Sequence, residues 1–93
     1  MRGYRVLAAN AWAGRYELDL VLRRGRRLVF CEVKAKSGPV FGDPLEMITD
    51  EKVRRLRQAA ELWLARHAEL DGLEIRYEAV AISPDGLRRV PLA

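Results

Sequence analysis

The stretch YELDLVLRRGRRLVFCEVKAK, residues 16–36, limits what this chain can fold into more than any other. Two runs of Leu, Val and Phe flank RRGR, the pattern of two strands joined by a turn in which Gly25 supplies the permissive backbone. Yet the first run carries Glu17 and Asp19, and the second carries Glu32, Lys34 and Lys36. An unpaired buried charge costs several kcal/mol, comparable to the spare stability of a whole domain. These side chains must therefore be solvated, paired or gathered around a ligand. Side chains alternate along a strand, so Glu17 and Asp19 share one face, as do Glu32, Lys34 and Lys36. If residues 24–27 form a four-residue loop, Arg23 pairs with Leu28 and Asp19 stands opposite Glu32. Such neighbours have Cβ atoms about 4.5–5.5 Å apart. Two facing carboxylates repel unless something positive lies between them, and Mg²⁺ suits a pair of acids because it keeps waters at its other positions. Lys34 can balance charge, steady a water or stabilise charge developing on a phosphate. A one-side-wet antiparallel sheet shows the same alternation, with the acids paired to Arg15, Lys34 and Lys36. Alternation alone leaves both readings open.

The rest of the chain supplies a frame for this hairpin. GYRVLAAN reads as a short strand that AWAG breaks, and SGPVFGDP as a loop. Within MITDEKVRRLRQAAELWLARHAEL the period changes, with Val53, Leu56, Ala60, Trp63 and Leu64 on one face. Thr49 is the expected N-cap, Asp50 and Glu51 suit the first turn, and Gly72 marks the exit. LEIRYEAVAI returns to a strand, SPDG turns, and LRRVPL adds a short edge strand, where Pro91 is tolerated. The expected fold is α/β: a mixed central sheet of four to five strands, with one long crossover helix leading to a parallel neighbour.

Length and composition exclude several classes. At 93 residues the chain is expected to be a single domain over 1–93, and 49% hydrophobic with 32% charged residues describes a globular chain. No apolar run approaches the ~20 residues of a membrane span, so no membrane partner and a cytoplasmic location are expected. With one cysteine (Cys31) and one histidine (His67), no zinc constellation can assemble, and any metal must be a hard cation held by carboxylates. The net charge is +4, and all but three of the 17 basic residues are Arg, whose planar fork matches phosphate oxygens. Trp63, Tyr4, Phe30 and Tyr77 read as core. Trp12 is either a stacking residue beside the acids or a packed loop anchor, and Phe41 is a weaker candidate for substrate contact.

Taken together, ELD, a gap of twelve residues between the two acids and then EVK resemble the PD-(D/E)XK nuclease core. The segments GYRVLAAN, ELDLV, LVFCEVKAKSG, FGDPLEMIT and KVRRLRQAAELWL, in that order over residues 3–82, resemble the YraN-like family of uncharacterised small bacterial proteins. That family is similar to Holliday-junction resolvases. The resemblance implies a restriction-endonuclease-like core. Asp19 and Glu32 would be metal-binding acids for Mg²⁺ or Mn²⁺, Val33 would lend a backbone carbonyl, and Lys34 would be the catalytic lysine. Glu17, Thr49 and Lys52 match further family positions. The implied reaction is metal-dependent, structure-selective endonucleolytic hydrolysis of branched or single-stranded DNA, the alternative being a catalytically impaired nucleic-acid-binding module on the same scaffold. Arg15, Lys36, Thr49, Lys52, Arg54 and Arg55 are the candidate nucleic-acid contacts. Family members begin with a helix bearing a further acid, which is absent ahead of MRGY here. The sheet face it would cover is then open to a second chain, so a homodimer is expected.

Overall fold

The computed structural model describes residues 3–35 and 48–92. Five strands, β1 (Arg5–Ala13), β2 (Tyr16–Arg24), β3 (Arg27–Ala35), β4 (Glu74–Ser83) and β5 (Gly86–Pro91), form one sheet in the order β1-β2-β3-β4-β5. One helix, α1 (Asp50–Ala65), lies between β3 and β4 in sequence, and those two strands run parallel while all other neighbours are antiparallel. This mixed α/β sheet with a single crossover helix is the expected architecture, and it is consistent with a restriction-endonuclease-like core.

The hairpin register is the expected one, with Arg23 opposite Leu28. The turn is tighter than the anticipated four residues, because Arg24 also pairs with Arg27 and leaves only Gly25 and Arg26 to reverse the chain. Gly25 makes this feasible with φ of 58°, where a side chain would be strained. The first strand departs further from expectation. AWAG does not break it; Ala11, Trp12 and Ala13 stay in β1. Its pairing with β2 shifts register between Val6 and Ala8, and Asn10 takes φ 52°, since Asn tolerates the left-handed region better than most residues.

Helix α1 covers one face of the sheet. Leu56, Ala59, Ala60 and Trp63 are buried against a layer containing Leu18, Val21, Leu28 and Phe30. The Trp63 ring meets Phe30 edge-on at 5.7 Å, a favourable geometry for the aromatic quadrupoles. Thr49 caps the helix as expected, its hydroxyl accepting from the Lys52 amide at 3.3 Å. The helical pattern does not run on to Leu70. It stops at Ala65, His67 stacks on Trp63 at 3.8 Å, and a separate 3₁₀ turn follows over Ala68–Leu70. On the other face Leu22, Val29, Cys31 and Val80 are buried. Burial pushes the Cys31 thiol up to about 12, so it behaves as a small hydrophobe, as its apolar neighbours implied. Pro91 sits on the outer edge strand, where its missing N–H breaks no ladder.

Candidate active site

The paired strands β2 and β3 part company where the acids begin. Their ladder ends at Leu20↔Cys31, and one further step in register sets Asp19 opposite Glu32. On the other side of β2, pairing with β1 passes from Ala9↔Leu20 to Ala11↔Leu18, which sets Asn10 and Asp19 opposite each other outside the ladder. Leu18 and Val21, three residues apart, both pack in the helix-side layer. Strict alternation would put them on opposite faces, so it slips once between them, around Asp19. In the gap left by the ladder, Asp19 Oδ2 accepts the Val33 amide at 2.9 Å. The carboxylate therefore substitutes for a backbone partner and holds the two strands at a fixed spacing. In an antiparallel pair a residue's N–H and C=O point to the same neighbour, so the Val33 carbonyl also faces β2, beside Asp19.

Glu32 and Lys34 follow Leu28 and Phe30 in alternation and so share their face, the one that carries the helix. They lie past the end of the apolar layer, near the start of α1. Lys34 Nζ is 3.4 Å from Glu32 Oε1, with both side chains about four-fifths buried (23% and 19% exposed). Burial, and then the Asp19 charge, raise the Glu32 carboxyl above its ordinary value, while Lys34 and Lys52 pull the other way. Contact with the Lys34 ammonium lowers Lys52, three residues into the helix from the cap. Two acids and two ammonium groups thus converge from β2, β3 and α1.

The donor set fits a hard divalent ion. Among the described residues no three His, Cys, Asp or Glu side chains cluster. The site offers two carboxylates and one strand carbonyl, which suits a cation that retains several waters. A positive charge between Asp19 and Glu32 would relieve the repulsion that raises Glu32.

The remaining expected contacts disperse around this centre. Arg15 and Arg55 both approach the Tyr16 ring, at 6.0 and 5.6 Å from its centroid, on the helix side of β2. Arg54 and Arg55 both pair with Glu51 on the exposed helix surface, at 2.7 and 3.3 Å. Exposed pairs of this kind are worth roughly 1 kcal/mol or less. Glu17 is exposed opposite Trp12 of β1 and has no hydrogen bond or ion pair among the described residues, so it is not gathered into the acid pair. Trp12 itself is 66% exposed on a strand, not packed as a loop anchor. Lys36, Phe41 and the SGPVFGDP segment lie outside the described residues. Sequence reasoning passed over Asn10 and Tyr16. An Asn amid the alternating run before the hairpin was the available signal for the irregularity opposite Asp19.

The signature of the uncharacterised protein family UPF0102 matches residues 1–82. The chain belongs to this family. It is 44% identical over 89 residues to a UPF0102 protein of Acidothermus cellulolyticus, covering 86% of this chain and 67% of that protein. A UPF0102 protein of Renibacterium salmoninarum is 46% identical over 81 residues, 87% of this chain and 68% of the relative. One from Rhizobium etli is 38% identical over 89 residues, 96% and 71% respectively. The YraN-like resemblance is thereby borne out at the level of the family, and this UPF0102 chain spans about two thirds of the length of those relatives. Among its described residues no helix is long and apolar enough to cross a membrane.

Proposed function

We propose that this UPF0102 chain is a metal-dependent, structure-selective endonuclease that hydrolyses phosphodiester bonds of DNA. The observation that carries the reading is the convergence of Asp19, Glu32 and Lys34 where β2 and β3 separate, with Lys52 arriving from the helix start. A merely solvated acidic face would leave these groups exposed and independently hydrated; instead Glu32 and Lys34 are about four-fifths buried and electrostatically bound to one another.

Asp19, Glu32 and the Val33 carbonyl would hold Mg²⁺ or Mn²⁺, which when bound supplies charge neutralisation at the scissile phosphate and a water of lowered pKa. The chain's own residues do the positioning. Asp19 is fixed by the Val33 amide, so its carboxylate enters the site without loss of rotamer freedom on binding. Lys34, with three donors on a flexible stem, can exchange Glu32 for the attacking water or a phosphate oxygen. Lys52 adds a second cation from the helix. Arg15, Arg54 and Arg55 guide the sugar–phosphate chain without reading bases, which fits selection by shape over sequence.

The test is cleavage of a labelled panel comprising a four-way junction, a flap, a single strand and a plain duplex, with Mg²⁺ or Mn²⁺. Asp19→Asn and Lys34→Ala should each cut roughly 10²-fold more slowly or worse while still binding. Binding without cutting in the wild type would replace the nuclease with a nucleic-acid-binding module. Cutting unchanged in both variants would remove the site assignment altogether.

A further inference from the structure

The turn RRGRR at the far end of the β2–β3 hairpin takes no part in the acid site, yet it concentrates more positive charge than any other short segment. Arg23, Arg24, Arg26 and Arg27 flank Gly25, and Arg76 joins them across the sheet, since it and Arg27 both pair with Glu74. Glu74 is the sole carboxylate paired with these five guanidiniums among the described residues, and Arg76 and then Arg27 hold it below its ordinary range, so it stays ionised. The cluster keeps a large positive excess.

How these side chains are held separates them from an ordinary solvated face. Arg23 Nε donates to the Gly25 carbonyl at 2.9 Å, and Arg26 Nη2 donates to the Gly72 carbonyl at 3.1 Å. Arg24 lies against the Tyr4 ring, 5.8 Å from its centroid. Carbonyls and a ring fix orientation without cancelling charge, and a guanidinium has five N–H donors, most of which remain to bind elsewhere. A shallow cavity of about 400 Å³ opens between Arg24, Arg26, Arg27 and Glu74 over Gly25. A Cβ added to Gly25 would meet nothing within 4 Å, so the floor of this cavity is open to an incoming group. Oriented guanidiniums around an open floor, with their charge uncancelled, suit the non-bridging oxygens of phosphodiesters.

We propose that this hairpin tip is a second nucleic-acid contact, a clamp for the phosphates of a duplex arm, at the opposite end of the hairpin from the acid pair. The proposal rests on the nucleic-acid reading of the acid site. Asp19 to Arg24 and Glu32 to Arg27 are each five residue steps along a strand. At ~3.3 Å per strand residue the two ends lie roughly 17 Å apart. With one charge per ~1.7 Å of duplex axis, that distance spans about five base pairs. A nucleic acid touching both ends must therefore extend about half a turn beyond the cut, and a strand of four nucleotides or fewer, stacked at ~3.4 Å per phosphate, falls short of one of them.

The experiment is fluorescence anisotropy of a 20-base-pair duplex arm on a flap, with a four-nucleotide single strand, about 10 Å between its terminal phosphates when stacked, beside it, in EDTA so that nothing is cut. The full chain is titrated at several salt concentrations. Each phosphate contact adds ~0.9 to the slope of log K against log salt. Arg24→Gln with Arg26→Gln should flatten the flap slope by about 1.8 and leave the single-strand slope unchanged. Arg24→Gln alone, which breaks no backbone hydrogen bond, should flatten it by about 0.9. Arg24→Lys with Arg26→Lys should restore it. A steep wild-type slope that the Gln variants do not alter overturns the tip contact while leaving nucleic-acid binding at the acid site intact. No binding of either probe by the wild type overturns both. Binding to phosphatidylserine vesicles through the tip, with none to the flap, also overturns the proposal.

Discussion

The Asp19–Val33 hydrogen bond predicts that two substitutions equally harmful to activity will differ sharply in stability. Asp19 Oδ2 takes the Val33 amide at 2.9 Å where the β2–β3 ladder has ended, in a partly buried position. Asp19→Ala removes the acceptor and leaves that amide unpaired. A hydrogen bond to a charged group contributes about 1.5–3 kcal/mol, and the half-solvated setting places the loss near 2 kcal/mol. For a chain of this length each kcal/mol moves Tm by ~4–8 °C, so Asp19→Ala should melt about 8–16 °C lower. Asp19→Asn keeps an amide oxygen in the same place to accept from Val33. It also removes the charge that helps raise Glu32, so part of the lost strength is returned. The expected loss for Asn is below about 1 kcal/mol. Thermal and urea unfolding at pH 7 without divalent ions would measure both. Equal losses in Asn and Ala would refute the argument, because the carboxylate would then be bonded through something other than its acceptor role toward Val33.

Glu32 sets a pH dependence whose sign follows from its raised carboxyl. The folded chain holds that proton more tightly than the unfolded one, so the stabilisation is full below the ordinary value of 4.5 and is lost as pH rises through the folded value. Glu32→Gln should abolish that loss and be more stable than wild type at pH 7, seen as a flatter plot of unfolding free energy against pH. Mg²⁺ should act in the opposite direction at neutral pH, adding about 1.4 kcal/mol at ten times its Kd and nothing in Asp19→Asn with Glu32→Gln, read as a Tm shift. Phe30→Ala should cost roughly 3–5 kcal/mol, since Phe30 is fully buried between Trp63 and Tyr77, and chemical denaturation would show it as a lower midpoint. Thr49→Ala should cost about 1 kcal/mol through loss of the cap to Lys52, with a small fall in helical circular dichroism.

In the function proposed above, phosphate recognition would divide between the two ends of one hairpin. The end with the acids is partly buried and mixed in sign, as suits a place where charge must be managed during bond breaking. The tip is exposed and strongly basic, as suits affinity. Their separation is fixed by the rigid pairing of Arg23 with Leu28 and Leu20 with Cys31, so a substrate too short to reach both loses one of them.

Much of this was legible in the linear sequence because strand alternation and hairpin register are local. The run from Tyr16 to Lys36 encodes two strands, and the Arg23–Leu28 pairing sets Asp19 opposite Glu32. The helix face and its Thr49 cap were equally local, being fixed by 3.6-residue periodicity and a hydroxyl three residues before an amide. What the sequence could not determine depends on neighbours distant in the chain. The slip in alternation between Leu18 and Val21 arises where Asn10 of β1 meets β2, so only the assembled sheet frees the Asp19 carboxylate to take the Val33 amide. Burial of Glu32 and the arrival of Lys52 beside Lys34 likewise require the crossover helix to return over the end of β3. Local stereochemistry chose the strands, the helix and the facing acids; the tertiary fold decided their burial and proximity, which raise the Glu32 carboxyl.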